Sequence, residues 1–283
     1  MNVLIEPFLS NSFLLRALTA GMLVSISCGV VGTFIVLRGL AFIGDALAHG
    51  VLPGIAIAIL LGIPGIVGAA VSAAVMIGGI TLITNKSPLS SDTAIGLLFV
   101  GMLALGVVIV SRSTTFTGDL VRILFGEILG INTQSVILQA IATIAIIATA
   151  VLCSRPFLLL CFSPEQAQVS GFSAKLYHNI MLAMIAVAVI ISFQTVGTML
   201  VFGMLLAPAG AAALLAKRMK TMMVYASLIG MVSVYSGLLG SYHFNIAAGS
   251  AIVLVATLIF FAVLLIKNLQ AARIARREVI AHD

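Results

Sequence analysis

The 283-residue chain has no tryptophan, and charged residues make up only 8% of it. Eight acids and fourteen bases are too few to clothe a soluble domain of this size, so a soluble protein is excluded. Cysteine is scarce as well. Cys28, Cys153 and Cys161 lie in or close to apolar segments and form no CxxC pair, which argues against a disulfide framework or a zinc knuckle. There is no GxxxxGK[ST], no HExxH and no GxSxG, so ATP binding by a P-loop, metalloprotease chemistry and serine-hydrolase chemistry have no support. The chain is therefore not read as an enzyme. Short alternating apolar segments are missing too, which sets aside a membrane-spanning β-barrel. The start, MNVLIEPFLSNSFLLRAL, lacks a basic stretch before its apolar run, and no cleaved signal peptide is expected.

Hydrophobicity is what the chain has in excess: 62% of its residues are apolar. Runs of about 18 residues or more recur along nearly its whole length, each long enough to cross a bilayer. This predicts an all-α, polytopic membrane protein with eight or nine spans, at roughly 15–37, 41–61, 64–84, 93–111, 135–153, 179–199, 200–216, 222–240 and 247–267. The sixth and seventh are nearly continuous, which leaves the count open. No linker divides the chain, so 1–283 is read as a single transmembrane domain, in contact with lipid, with a cytoplasmic tail at 268–283. No internal repeat is obvious. Nine spans put eleven of the fourteen basic residues on one side, leaving Arg16, Arg112 and Arg122 on the other. By the positive-inside tendency that side is the cytoplasm, and the N-terminus is outside. The net charge of +6 is this bias and not a nucleic-acid footprint.

Two loops carry structure of their own. In FSPEQAQVSGFSAKLYHN, Ser163 suits a helix N-cap, Pro164 the first helical position and Gln166 the capping box, while Gly171 suits a C-terminal stop. A cytoplasmic helix at about 163–171 follows, either a plain connector or an element on which a soluble partner pushes. On the outer side, residues 115–132 place Leu120, Ile123, Leu124 and Ile128 on one helical face and read as an interfacial or re-entrant helix. Asp119 and Glu127 there could face an incoming cation, but are read first as solvated charges.

The stretch IGDALAHGVLPG sets Asp45 and His49 four residues apart, on one face of the second span. Ionisable groups within a bilayer are costly and by default mark a pathway. A carboxylate with an imidazole suits a first-row divalent metal, and two ligands give the weak grip that transport needs. A second copy on a two-fold axis would bring the set to four. Two plainer readings stay open: Asp45 as a first-turn acid favoured by the helix dipole, and His49 as an interhelical hydrogen-bond partner. Pro53 has no N–H to offer the carbonyl of His49, and Pro208 none for that of Met204. Both prolines are expected to break helix bonding along the pathway, where small neighbours allow close packing.

The stretch VLRGLAFIGDALAHGVLPG, 36–54, resembles the signature of the integral membrane permeases of bacterial metal-ion ABC importers, which take up zinc, manganese or iron. Residues 90–108, 118–131 and 163–216 are similar to further segments of that family, so the likeness covers nearly the whole chain. The resemblance implies a type II ABC importer permease in the bacterial inner (plasma) membrane. It implies two cytoplasmic ATPases, an extracytoplasmic metal-binding protein, and a second permease, identical or related. It implies zinc or manganese as the transported metal, with iron a further candidate and no permanently bound cofactor. Asp45 and His49 match positions proposed to contact the metal. Glu165, Gln166, Ser170 and Gly171 fall in the element that receives the ATPase stroke. The sequence departs from the family at 240–249, where His243 and Asn245 stand in place of a frequent acid; His243 is read as an exposed loop histidine. The competing readings are a proton-coupled secondary transporter and an ABC permease for a metal chelate.

Overall fold

The structure is a computed structural model, which describes residues 7–8, 11–111 and 131–282. Among these every regular element is a helix. In chain order they are α1 (Ser12–Arg38), α2 (Ile43–Gly50), α3 (Leu52–Leu60), α4 (Gly65–Lys86), α5 (Ser91–Ser111), α6 (Thr133–Leu152), α7 (Ser154–Phe162), α8 (Pro164–Val169), α9 (Ala174–Val196), α10 (Thr198–Leu215), α11 (Met219–Phe244) and α12 (Ala248–His282). The outer helix expected at 115–132, with Asp119 and Glu127, lies almost wholly outside the described residues.

Among the described residues eight segments are long and apolar enough to cross a membrane, with α2 and α3 counted as one segment, Ile43–Leu60. The shorter α10 decides between eight spans and nine. Its residues 200, 203 and 210 meet 249, 253 and 260 of α12, so those two helices run parallel. It also runs with α1, since Gly32 meets Leu205 and Ala209 while Ser25 and Met204 both meet Gly230. Contacts from Arg38 to His178 and, through Gln139, from Ser27 to Ser192 set α9 antiparallel to α1. The chain therefore reverses at Gly197, whose φ of +86° suits glycine. Helix α10 makes a ninth crossing, about 27 Å long at 1.5 Å per residue.

The amphipathic pattern of a soluble helix is missing because lipid and protein interior are both apolar. Small residues let helices approach instead. A Cβ at Gly32 would overlap the carbonyl oxygen of Leu205, and Gly54 of α3 and Gly68 of α4 meet backbone to backbone. α1 is the most enclosed span, with Ala17, Val24, Cys28, Val31 and Phe34 fully buried among α6, α9, α10 and α11.

Burial at this depth leaves polar side chains dependent on one another. Gln139 of α6 is buried; its Nε2 donates to Ser27 and Ser192, each at 3.3 Å, and its Oε1 accepts from Thr195 at 3.4 Å. This network stitches α1, α6 and α9 together.

Candidate functional site

The second span is interrupted where Pro53 predicts. α2 ends at Gly50, α3 begins at Leu52 with Pro53 in its first turn, and Val51 stays helical between them at φ −81°, ψ −15°. The break is mild. The amide of Val51 keeps its helical bond to Leu47 O at 3.2 Å, and that of Ile55 bonds Val51 O at 3.0 Å, so helical bonding resumes on both sides of the break. Pro208, by contrast, is buried inside a continuous α10.

α2 packs against α4, α5, α9 and α10. Two glycines permit this: a Cβ at Gly44 would press on Leu205, and one at Gly50 on Met76. The other face carries Asp45 and His49. Their side chains are 35% and 21% exposed, and His49 Nε2 lies 3.4 Å from Asp45 Oδ1. The imidazole also stands 5.9 Å from the ring of Phe99, about midway along α5, while Gly50 meets Met76 midway along α4. The pair thus sits near mid-membrane, where an uncompensated charge costs most.

His49 Nδ1 is buried and has no hydrogen-bond partner among the described residues. Buried polar atoms are rarely left so. The histidine is therefore incompletely satisfied by its own chain, unlike an ordinary interhelical bridge. No cluster of three or more His, Cys, Asp or Glu occurs among the described residues, so one chain presents a two-ligand pair.

The expected cytoplasmic helix is α8, a little shorter than 163–171. Ser163 Oγ accepts from the amide of Gln166 at 3.3 Å, and Pro164 stands at the first position. At the far end the amide of Phe172 donates to Ala167 O and that of Gly171 to Gln168 O, each at 3.0 Å. This is a Schellman stop with Gly171 at the left-handed position, φ +82°. Ala167 is buried, whereas Glu165, Gln166, Ser170 and Gly171 are exposed. The element is anchored by one residue and presents the others outward.

Sequence reasoning missed α7, a nine-residue helix in what was read as loop 154–178; Phe157 packs edge-on to Phe34 at 5.1 Å. It also passed over Gln139, whose signal was a lone amide in an apolar span. His243 stands exposed in the last turn of α11, which runs on to Phe244 and shortens the expected outer loop.

Among the described residues the chain thus has nine apolar crossings, a broken span with an acid–imidazole pair at mid-depth, and a capped helix beyond the spans, the architecture of a polytopic membrane protein. Residues 10–267 match the ABC 3 transport family, and the chain belongs to it. It is 39% identical over 277 residues to the manganese transport system membrane protein MntC of Listeria monocytogenes, covering 98% of this chain and 99% of that one. It is 37% identical to a probable iron transport system membrane protein of Haemophilus influenzae, covering 91% and 94%. It is similar in fold to PsaBC from Streptococcus pneumoniae, solved in complex with Fab, with a TM-score of 0.82 and 34% identity, covering 92% of this chain and 94% of that one. The protein is a multi-pass inner-membrane transport subunit.

Proposed function

We propose that this chain is the permease of an ATP-driven importer that carries a divalent transition metal, manganese before iron or zinc, into the cytoplasm. The observation that carries this reading is the Asp45–His49 pair: two unlike donors 3.4 Å apart at mid-membrane, on the one face of α2 left open by its neighbours. Two ligand atoms each about 2.1 Å from one ion stand about 3.4 Å apart at a tetrahedral angle, so both can meet the same cation. Oxygen and nitrogen donors without thiolate suit Mn²⁺ and Fe²⁺ as well as Zn²⁺. A relative in Listeria is named for manganese transport and one in Haemophilus for iron transport, which supports these two metals over zinc. A second permease facing the open side of α2 would bring the ligand set to four.

The driving chemistry belongs to separate chains. ATP hydrolysis falls to cytoplasmic ATPases that press on α8, with Glu165, Gln166, Ser170 and Gly171 at the contact. An extracytoplasmic metal-binding protein delivers the cargo. Membership of the ABC 3 family displaces the proton-coupled reading, and a close two-donor pair fits a bare ion better than a bulky chelate.

The test is uptake of radioactive manganese by cells expressing the importer with Asp45→Ala or His49→Ala. Uptake is expected to be lost in both while membrane insertion is unchanged, because removing an intramembrane ionisable group does not hinder insertion. Wild-type uptake by both variants would reduce the pair to a packing feature.

A further inference from the structure

A cavity of about 680 Å³ opens where α7, the end of α1 and the α10–α11 turn come together. Leu37 lies one residue before the end of α1, Ala216 one residue after α10, and Ser154 begins α7. The cavity therefore sits at the level where spans end, on the side to which the basic residues assign the cytoplasm.

Its lining divides by chemistry. Arg155, Lys217, Arg218 and Lys220 surround it, no acid lines it, and among the described residues none of the four makes an ion pair. Two helices also begin there, α7 at Ser154 and α11 at Met219. Since α1 and α10 end there too, the helix dipoles oppose one another, and the field of the cavity is that of its four cationic side chains. Against these cations lie Leu158, Phe162 and Met222. Phe162 is 74% exposed.

We propose that this cavity is a binding site for an anionic phospholipid of the cytoplasmic leaflet. Its phosphate would take hydrogen bonds from the lysines and arginines, and an acyl chain would lie along Leu158 and Phe162. Free phosphate or a nucleotide would satisfy the cations but leave the apolar wall uncovered. Basic pockets between helices on the cytoplasmic side suit such headgroups, each charge contributing about fivefold in affinity. The site is separate from the Asp45–His49 pair and does not depend on which metal is carried.

The experiment is native mass spectrometry of the full-length permease in a neutral detergent, titrated with phosphatidylglycerol or phosphatidylcholine. The wild type should retain phosphatidylglycerol in preference, and millimolar inorganic phosphate should not displace it. Lys217→Gln/Arg218→Gln/Lys220→Gln should weaken phosphatidylglycerol about a hundredfold and leave phosphatidylcholine unchanged. If that variant does not fold, Arg155→Gln alone should weaken it about fivefold. Equal binding of the two lipids, or full retention by the variants, overturns the proposal. Displacement by inorganic phosphate would make the cavity a plain anion site. A triple variant that loses its ATPase but binds phosphatidylglycerol normally would make it a protein-docking surface.

Discussion

Arg38, the last residue of α1, donates from its guanidinium to Nδ1 of His178 at 2.7 Å, tying the end of α1 to the start of α9. Arginine has no acceptor, so His178 accepts and carries its own proton on Nε2. Arg38 leads through the Gly39 turn into α2, and His178 follows closely on α8, so one hydrogen bond joins the segment before the Asp45–His49 pair to the segment after α8. Hydrogen bonds to charged groups contribute about 1.5–3 kcal/mol. Arg38→Ala should lower the thermal midpoint of the purified permease and slow manganese uptake, with Arg38→Gln, which keeps a donor, intermediate. Unchanged midpoint and uptake in Arg38→Ala would show that the link is dispensable.

Gln139 gives a graded test of the buried network. Ser27 donates to a carbonyl of its own helix, and the single hydroxyl proton of Thr195, 3.4 Å from the amide oxygen, has Ile191 O nearer at 2.8 Å, so both keep a partner when the amide is lost. Interhelical polar bonds in membranes average about 0.6 kcal/mol. Gln139→Leu, which preserves volume, should therefore cost about 1 kcal/mol or less. Gln139→Ala adds a cavity and should cost about 2 kcal/mol. Gln139→Glu buries a charge and should be the worst of the three. Denaturant or thermal unfolding in detergent would rank them.

Gly171 holds α8 to its stop at a positive φ that a side chain resists by about 1–2 kcal/mol. Gly171→Val should uncouple ATP hydrolysis from uptake in reconstituted vesicles while the permease still inserts. Gly171→Asn should retain more coupling, since asparagine enters the left-handed region more readily. No Cβ clash explains a loss here, because open space surrounds the position.

Burial pushes the Cys161 thiol up from its ordinary 9.0 to about 11, and the charge of Arg38 pulls it partly back. The folded state then holds this proton more tightly than the unfolded one. Its contribution to stability is complete below pH 9.0 and is lost as pH rises from there towards about 11. Alkylation of Cys161 should be slow at neutral pH and accelerate only in that alkaline window, and Arg38→Gln should shift the window higher. Fast alkylation at pH 7 would show that the thiol is not shielded.

Local signals were legible because they depend on neighbours in sequence. Length and hydropathy marked the spans, the four-residue spacing placed Asp45 and His49 on one face, and the Ser163, Pro164 and Gly171 pattern marked α8 almost to the residue. Pro53 announced the break in the second span but not its mildness, since Val51 stays helical and keeps its bonds to Leu47 and Ile55.

What only the tertiary structure decided depends on pairs far apart in the chain. Whether α10 reverses after Gly197 or continues α9 is set by its packing along α1 and α12, and hydropathy is alike in both cases. The buried face of α2, and hence the open face that holds Asp45 and His49, follows from glycine contacts with Leu205 and Met76. Gln139 finds partners more than fifty residues away on either side in the chain, and the basic cavity gathers α1, α7, α10 and α11. In a chain whose interior and surroundings are equally apolar, sequence fixes where helices cross the membrane. Which faces meet is decided by close packing and polar pairing, and these exist only once the helices have assembled.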